Sequence, residues 1–182
     1  MREKPVCKKK TVVAKSRLFT IEELHLHFSN GAQRSFERIR SHGHGAVLII
    51  ALTASESLLL VREYAAGTEN YELGFPKGLI EKGESLFEAA NRELREEVGF
   101  AAKRFDWLKT LSLAPAYFGA KLELVVARDL YPSTLLGDEP EPLEVIEWPL
   151  TSYNELLVRP DFSEARSVAA LLLVKQWLEG EK

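Results

Sequence analysis

Residues 78–100 read GLIEKGESLFEAANRELREEVGF, and they carry more structural information than any other stretch of the chain. Ser85 followed by Glu88 forms a capping-box pattern, which predicts that a helix begins here. Gly99 is suited to end that helix in a left-handed cap. Between these two ends, four apolar residues recur at helical spacing: Phe87, Ala90, Leu94 and Val98. The sequence therefore predicts an amphipathic helix between Ser85 and Gly99.

The same helix carries a group of acidic residues. Glu93 and Glu97 are four residues apart, so their carboxylates point from one side of the helix, and Glu96 adds a third acid to that side. Like charges at this spacing cost a helix roughly 0.2–0.5 kcal/mol per pair. A solvated acidic face is one interpretation. A site for Mg²⁺, Mn²⁺ or another divalent ion is the other, because such ions prefer carboxylate oxygens, and Gly78 lets the preceding backbone approach closely.

The spacing of the whole segment resembles the Nudix box, G-x5-E-x7-R-E-U-x-E-E-x-G-U, in which U is a bulky apolar residue. The residues that match it without a gap are Gly78, Glu84, Arg92, Glu93, Leu94, Glu96, Glu97, Gly99 and Phe100. This resemblance implies a Nudix fold, a mixed-sheet α/β/α sandwich, and a metal-dependent hydrolase of diphosphates. Strands flanked by two long helices are consistent with that α/β architecture.

The resemblance also implies a role for each acidic and basic residue of the box. Glu93 and Glu97 are the principal metal ligands, with help from Glu96 and from the backbone carbonyl of Lys77. Arg92 orients these glutamates through charge-assisted hydrogen bonds. Glu84 braces the turn, while Gly78 and Gly99 serve as structural positions of the motif.

The catalytic base is left open between two regions. In some Nudix enzymes it is a glutamate of the box, so Glu93 and Glu97 are candidates. In the ADP-ribose hydrolases it comes from a late acidic loop, here residues 131–142, where Glu139 is favoured and Glu141 is second. The alternative is that this loop is only a solvated surface segment.

Markers outside the box bear on the substrate. Pro115 lies 16 residues after Gly99, as in Nudix ADP-ribose pyrophosphatases, and Tyr117 resembles the tyrosine of diadenosine polyphosphate hydrolases. The chain is similar over its length to a bacterial branch that converts ADP-ribose, NADH and diadenosine di- and triphosphates to AMP plus a phosphorylated product. ADP-ribose hydrolases usually place an arginine three residues after the position of Arg62, but here Ala65 stands there. The residues that the resemblance assigns to substrate binding are Arg38, Arg62, Glu72, Leu79, Pro115, Tyr117 and Glu141.

Two predicted domains follow from the remaining patterns. Alternation within 11–28 and 33–40, joined by an Asn30-Gly31 turn, predicts an antiparallel β-hairpin unit over residues 1–42. By family resemblance this unit exchanges between subunits of a homodimer. The Nudix domain is expected over 43–182, and Met1–Lys10 is expected to be a frayed basic tail. The further predicted strands are 46–52, 58–61, 107–113, 122–127 and 143–150, and the further helices are 152–158 and 164–179.

Composition limits the alternatives. The 182 residues are 46% hydrophobic and 28% charged with a formal net charge of −3, so nothing favours nucleic acid or a membrane surface as a partner. Cys7 is the single cysteine, which excludes an internal disulfide and is consistent with the cytoplasm. No apolar run is long enough to cross a bilayer.

Two other functions remain as alternatives. An RNA 5′ pyrophosphohydrolase needs a basic groove, and the net charge of −3 gives no indication of one. A non-catalytic Nudix domain that senses ADP-ribose or NAD commonly loses the glutamates of the box, whereas here all of them are present.

Overall fold

The computed structural model describes residues 3–41 and 43–180. Within these ranges, ten strands, three α-helices and one short 3₁₀ helix are formed. The strands are β1 Val6–Lys15, β2 Thr20–His27, β3 Gln33–Ile39, β4 Ala46–Leu52, β5 Ser57–Ala65, β6 Asn70–Gly74, β7 Lys77–Leu79, β8 Phe100–Ser112, β9 Lys121–Pro132 and β10 Glu144–Pro149. The helices are α1 Leu86–Glu97, α2 Tyr153–Leu157 and α3 Ala165–Gly180, and the 3₁₀ helix is Leu150–Ser152.

The described residues fall into two compact units. The first contains the described part of Met1–His42 together with Ser112–Lys121, and the second contains Gly43–Leu111 and the described part of Leu122–Lys182. The predicted boundary at residue 42 falls on a residue outside the described ranges, as do Met1 and Arg2 of the expected basic tail. These two units are built from separate sheets.

The first unit is a three-stranded antiparallel sheet in the order β1-β2-β3. The predicted hairpin is confirmed, since β2 and β3 pair from Ile21 with Ile39 to His27 with Gln33. Gly31 has a φ of +83° in the turn, a conformation that glycine adopts without steric cost. The expectation of a frayed tail up to Lys10 is wrong, because β1 already begins at Val6 and pairs with β2 along its length.

The second unit contains a seven-stranded sheet with the order β10-β5-β4-β9-β8, to which β6 adds beside β5 and β7 beside β4. β4 runs parallel to β9 and antiparallel to β5 and β7. The sheet is therefore mixed, as predicted for an α/β sandwich. No helix within the described residues combines the length and apolar character needed to span a bilayer.

The core of the second unit lies on both faces of β4, where Val47–Ala51 are fully buried. On one face, Ala90 and Leu94 of α1 pack against Val47 and Ile49. Neighbouring residues of a strand face opposite sides, and α3 also packs against β4, where it buries Leu171. The helices thus cover the central strand on both sides.

Two further details of the sequence prediction are wrong. Phe87 was expected in the apolar stripe of α1, but it is 42% exposed and stacks on Phe105, while Ala89 is buried. β8 and β9 are also longer than their apolar runs. β8 lies at the edge of the sheet, so polar residues can extend it without being buried, and the residues that lengthen β9 include the exposed Asp129 and Tyr131. The periodicity of apolar residues therefore does not reveal the full length of either strand.

Candidate active site

The ends of α1 fix the rotation of its acidic residues. The Ser85 Oγ accepts a hydrogen bond from the Glu88 N–H at 3.3 Å, and a Glu88 carboxylate oxygen accepts one from the Ser85 N–H at 2.8 Å. This is the predicted capping box, which is confirmed. Gly99 has a φ of +78°, as expected of a residue that ends a helix. Glu97 is consequently the last residue of the helix.

Arg92 is the centre of a hydrogen-bond network on this helix. It donates from Nε and Nη2 to the two carboxylate oxygens of Glu84, at 2.8 and 3.0 Å. Its Nη1 donates to Glu93 at 2.7 Å and to Glu96 at 3.1 Å, and its Nη2 donates to the Leu79 carbonyl at 2.9 Å. The hydrogen bonds from Arg92 hold the pKa of Glu84 below its usual range. The structure thus brings together Arg92, Glu84, Glu93 and Glu96, which the box spacing had singled out.

Glu93 lies against the backbone that leads into the helix. It is only 9% exposed, and a Cβ at Gly78 would overlap its carboxylate. Burial raises the pKa of Glu93, the hydrogen bond from Arg92 opposes this shift, and the charges of Glu96 and Asp138 add to it. The absence of a side chain at Gly78 is therefore what lets the chain pass the carboxylate.

Glu97 and Lys77 meet next to this point. A Glu97 carboxylate oxygen accepts a hydrogen bond from the Lys77 N–H at 3.1 Å. Burial raises the pKa of Glu97 to about 8, although the nearby Lys77 opposes the shift. The Lys77 Nζ donates to Glu63 at 2.5 Å. The role predicted for the Lys77 carbonyl stays a prediction, whereas its N–H and its ammonium group have partners that the sequence did not indicate.

The late acidic loop reaches the same helix. The Ser133 N–H donates to the Gly99 carbonyl at 3.0 Å, and the Leu135 N–H donates to the Arg95 carbonyl at 3.1 Å. A Cβ on Gly137 would be 3.4 Å from the Glu96 Cβ. The first half of the loop is therefore anchored on the end of α1.

This anchoring places two acids of the loop close to the helix. The charge of Asp138 raises the pKa of Glu93. The pKa of Glu139 is raised by burial and by the charges of Glu63 and Asp138, while Lys77 lowers it. Glu139, which was predicted as a base, thus lies in the electrostatic surroundings of Glu63 and Lys77.

Two other predicted substrate contacts have different neighbours. Glu141 accepts a hydrogen bond from the Tyr71 hydroxyl at 2.6 Å, which raises the pKa of Tyr71. Glu72 accepts a hydrogen bond from the Ser163 hydroxyl at 3.3 Å. Their roles in substrate binding stay predictions.

Arg62 is not brought to the acidic face of α1. It donates to Glu144 at 2.9 Å and to Asp161 at 2.8 Å. Because successive residues of a strand point to opposite faces, Arg62 of β5 lies on the other side from Glu63. In the structure, Arg62 forms salt bridges with Glu144 and Asp161. A contact of Arg62 with phosphate or ribose stays a prediction.

Three predicted substrate contacts belong to the first unit. Arg38 donates from Nε and Nη2 to the buried carboxylate of Glu22, at 3.2 and 3.0 Å. The Tyr117 carbonyl accepts a hydrogen bond from the Ile39 N–H at 2.7 Å, while the side chains of Tyr117 and Pro115 are exposed. In the second unit, Leu79 is also exposed. These four residues stay predictions as substrate contacts.

Sequence reasoning missed Glu63, Asp138 and the side chain of Lys77. Glu63 and Lys77 come from separate strands and meet only after folding, so no spacing in the sequence links them to the box. Within residues 3–41 and 43–180, no three His, Cys, Asp or Glu side chains are already grouped as a metal site. Arg92 occupies oxygens of Glu93 and Glu96 instead.

Comparison with known proteins agrees with this geometry. Residues 5–38 match the model of a NudE-type Nudix hydrolase N-terminal domain, and residues 42–172 match the NUDIX domain model. The chain belongs to the Nudix family.

Among its relatives, the chain is 55% identical to the ADP compounds hydrolase NudE of Escherichia coli K12, over 98% of this chain and 96% of that protein. It is 27% identical to the ADP-ribose pyrophosphatase of Bacillus subtilis 168, over 100% of this chain and 98% of that protein. A crystal structure of an ADP compounds hydrolase matches with a TM-score of 0.94 and 55% identity, covering 100% of this chain and 97% of that one. The predicted Nudix fold is confirmed.

Proposed function

We propose that this protein is a metal-dependent hydrolase that cleaves the diphosphate of ADP-linked compounds and releases AMP and a phosphorylated product. The observation that carries the proposal is the pair of carboxylates, Glu93 and Glu97, that α1 holds against the backbone of Gly78 and Lys77. The near-complete overlap with an ADP compounds hydrolase of 55% identity supports the choice of substrate. ADP-ribose, NADH and diadenosine di- and triphosphate are the proposed substrates.

The residues at this site suit a divalent cation, for which Mg²⁺ is the first choice and Mn²⁺ the second. The donors are carboxylate oxygens, the ligands that such ions prefer. Gly78 leaves the space beside Glu93 free of a side chain, so backbone oxygen and carboxylate can approach one ion together. When bound, the ion offsets negative charge on the phosphoryl oxygens and polarises the phosphorus.

Separate residues of the protein bind the cation and position its ligands. Glu93, Glu97 and the Lys77 carbonyl hold the cation, and Glu96 assists. Arg92 keeps Glu93 and Glu96 on one side of the helix, and Glu84 holds the guanidinium of Arg92 in place. Such preorganisation lowers the barrier because little rearrangement remains for the transition state.

Glu139 is our proposed general base. It lies on the loop that is anchored to α1, and its pKa is raised by burial and by neighbouring carboxylates. A carboxylate with a raised pKa is a better acceptor of the proton that the attacking water loses. Glu141 is the alternative, although Tyr71 already donates to it.

Selection among ADP compounds is proposed to involve Arg38, Arg62, Pro115 and Tyr117. We also propose that the protein acts in the cytoplasm, consistent with its single cysteine.

A homodimer is proposed from the first unit. Several apolar side chains are exposed on β1 and in the turn that follows it: Val6, Val12, Val13, Leu18 and Phe19. Exposed apolar surface of this kind is typical of an association surface. Sedimentation velocity should give about twice the mass of the 20.5 kDa chain, and a monomer at micromolar concentration would contradict the proposal.

The test of function is a substrate panel with ADP-ribose, NADH, diadenosine triphosphate and ADP-glucose in Mg²⁺ and ¹⁸O-water. We expect AMP from at least one of them, and the position of the label identifies the phosphorus that is attacked. Glu97→Gln and Glu93→Gln should abolish turnover of ADP-ribose while the circular dichroism spectrum is unchanged. Rates near those of the unaltered protein in either variant would refute the assigned site, and binding of ADP-ribose without hydrolysis would indicate a sensor.

A further inference from the structure

A cavity lies beside Lys77 and Glu63, an ion pair whose charges also act on Glu97 of α1. Its volume is about 190 Å³, far more than the roughly 30 Å³ that one water occupies in the liquid. It therefore admits a group of several heavy atoms. Its walls come from β5, β6, the residue that starts β7 and the start of α3: Val61, Glu63, Ala65, Glu72, Leu73, Gly74, Lys77, Glu164, Arg166 and Ser167.

The charges around this cavity do not suit a phosphate group. Three carboxylates face two cations, and each cation is already paired: Lys77 with Glu63, and Arg166 with Glu164. The remaining carboxylate is that of Glu72, whose described contact is the Ser163 hydroxyl at 3.3 Å. An anion would have to displace a carboxylate from a cation, whereas a neutral group with hydroxyl donors would find an acceptor in Glu72.

The remaining wall of the cavity is apolar. It is formed by Val61, Leu73, Gly74 and Ala65, of which Gly74 and Ala65 have little or no side chain. Ala65 matters most, because a longer side chain at this position would project into the cavity. A ring with hydroxyl groups on its edge and carbon on its faces fits a cavity that combines carboxylate acceptors with an apolar wall. Carboxylates bind ribose hydroxyls in this way in other nucleotide sites.

Lys77 connects this cavity to the acidic face of α1. Its N–H donates to Glu97, while its side chain lines the cavity. A group attached to a diphosphate at Glu93 and Glu97 would therefore meet this cavity next. We propose that the cavity binds the pentose attached to the diphosphate, with Glu72 accepting hydrogen bonds from its hydroxyls and Ala65 leaving room for its ring. This inference rests on the proposed function, because it takes the acidic face as the diphosphate site.

The test compares ribose 5-phosphate with inorganic phosphate as probes, by calorimetric titration of the full-length protein in Mg²⁺. The unaltered protein should bind ribose 5-phosphate at least about tenfold more tightly than phosphate, a difference of about 1.4 kcal/mol. Ala65→Leu should remove most of that preference by filling the cavity, while the affinity for phosphate is unchanged. Ala66→Leu is the matched control, since the exposed Ala66 does not line the cavity, and it should bind both probes like the unaltered protein.

Three results would overturn the proposal: equal affinity of the unaltered protein for both probes, a preference in Ala65→Leu equal to that of the unaltered protein, or the same loss in Ala66→Leu. If Ala65→Leu does not fold, Ala65→Val and Glu72→Gln take its place, and at least one must reduce the preference. Hydrolysis of ADP-ribose by the unaltered protein is assayed in parallel. If the unaltered protein hydrolyses ADP-ribose but shows no preference for ribose 5-phosphate, the cavity assignment alone fails. If it does not hydrolyse ADP-ribose, the proposed function fails.

Discussion

Gly78 shows how a single missing side chain can position a reactive group. A Cβ at this residue would overlap the carboxylate of Glu93. That carboxylate is the end of a flexible side chain, so it can move aside, but it then leaves its place beside the backbone and its hydrogen bond from Arg92. The position therefore matters for the chemistry far more than for the fold.

We expect Gly78→Ala to reduce kcat for ADP-ribose by at least about 100-fold, equivalent to roughly 2.7 kcal/mol of transition-state stabilisation. The free energy of unfolding should change by less than about 1 kcal/mol, because alanine also restricts the unfolded chain. Gly67→Ala is the control, since a Cβ at Gly67 meets nothing within 4 Å. Steady-state kinetics and urea unfolding measure both effects, and a stable, fully active Gly78→Ala would contradict this account.

Glu139 and Glu141, the two loop candidates for the general base, have different neighbours. Glu139 has neighbouring carboxylates and the Lys77 ammonium group, whereas Glu141 accepts from the Tyr71 hydroxyl. We expect Glu139→Gln to lower kcat by at least about 100-fold, within the range of a lost general base, and to leave KM nearly unchanged. Glu141→Gln should have a much smaller effect on kcat. The reverse order in the same assay would assign the base to Glu141.

At the scale of an element, the capping box of α1 is a defined contribution to stability. Ser85→Ala removes the side-chain acceptor of the Glu88 N–H and should cost about 1 kcal/mol. The melting temperature should then fall by about 2–4 °C in a chain of this size. Ser152→Ala is the control, because Ser152 stands at the start of α2 without a side-chain capping hydrogen bond. Equal melting temperatures for all three proteins in differential scanning calorimetry would argue against the box as a stabilising feature.

The ends of elements were predictable from sequence only where a side chain or a glycine sets them. Ser85, Glu88 and Gly99 fix both ends of α1 through local contacts, so their spacing was sufficient. The ends of β8 and β9 depend on backbone pairing between distant strands, which leaves no pattern in the polar residues.

The candidate site also contains residues that local sequence predicts and residues that only the folded chain brings together. The Arg92 network joins residues of one continuous segment, and the spacing of the box predicted its members. Glu63 enters the site from β5, and its neighbour Arg62 points to the other face. Strand alternation indicates that the two residues diverge, but only the packing of α1 decides which of them lies beside the acids.

At the scale of the whole molecule, a salt-bridge network ties distant segments of the second unit together. Asp161 accepts hydrogen bonds from Arg159 at 2.7 and 2.9 Å and from Arg62 at 2.8 Å. Arg62 also donates to Glu144 of β10. The hydrogen bonds from Arg159 and then from Arg62 lower the pKa of Asp161 to about 2.

This shift has a defined consequence for stability against pH. Because the pKa of Asp161 is lower in the folded protein than its value of about 3.9 in an unfolded chain, its contribution is complete above pH 4 and is lost as the pH falls towards 2. Asp161→Asn should lower the free energy of unfolding at pH 7 by roughly 1 kcal/mol after allowance for solvent screening. The difference should shrink between pH 4 and pH 2 in urea titrations, and Asp129→Asn, at an exposed position, is the control. A difference that is the same at pH 7 and pH 3 would disprove this contribution.

The Arg92 network also constrains how the chain can change in length. Arg92 binds Glu84, which precedes the helix, and Glu93 and Glu96, which lie within it. One residue inserted between the helix start and Arg92 would turn the guanidinium by about 100° around the helix axis, since a turn contains 3.6 residues. Arg92 would then point away from Glu84. A change of one residue in the length of the segment from Glu84 to Arg92 would therefore break the network, whereas a substitution at an exposed position between them leaves its spacing unchanged.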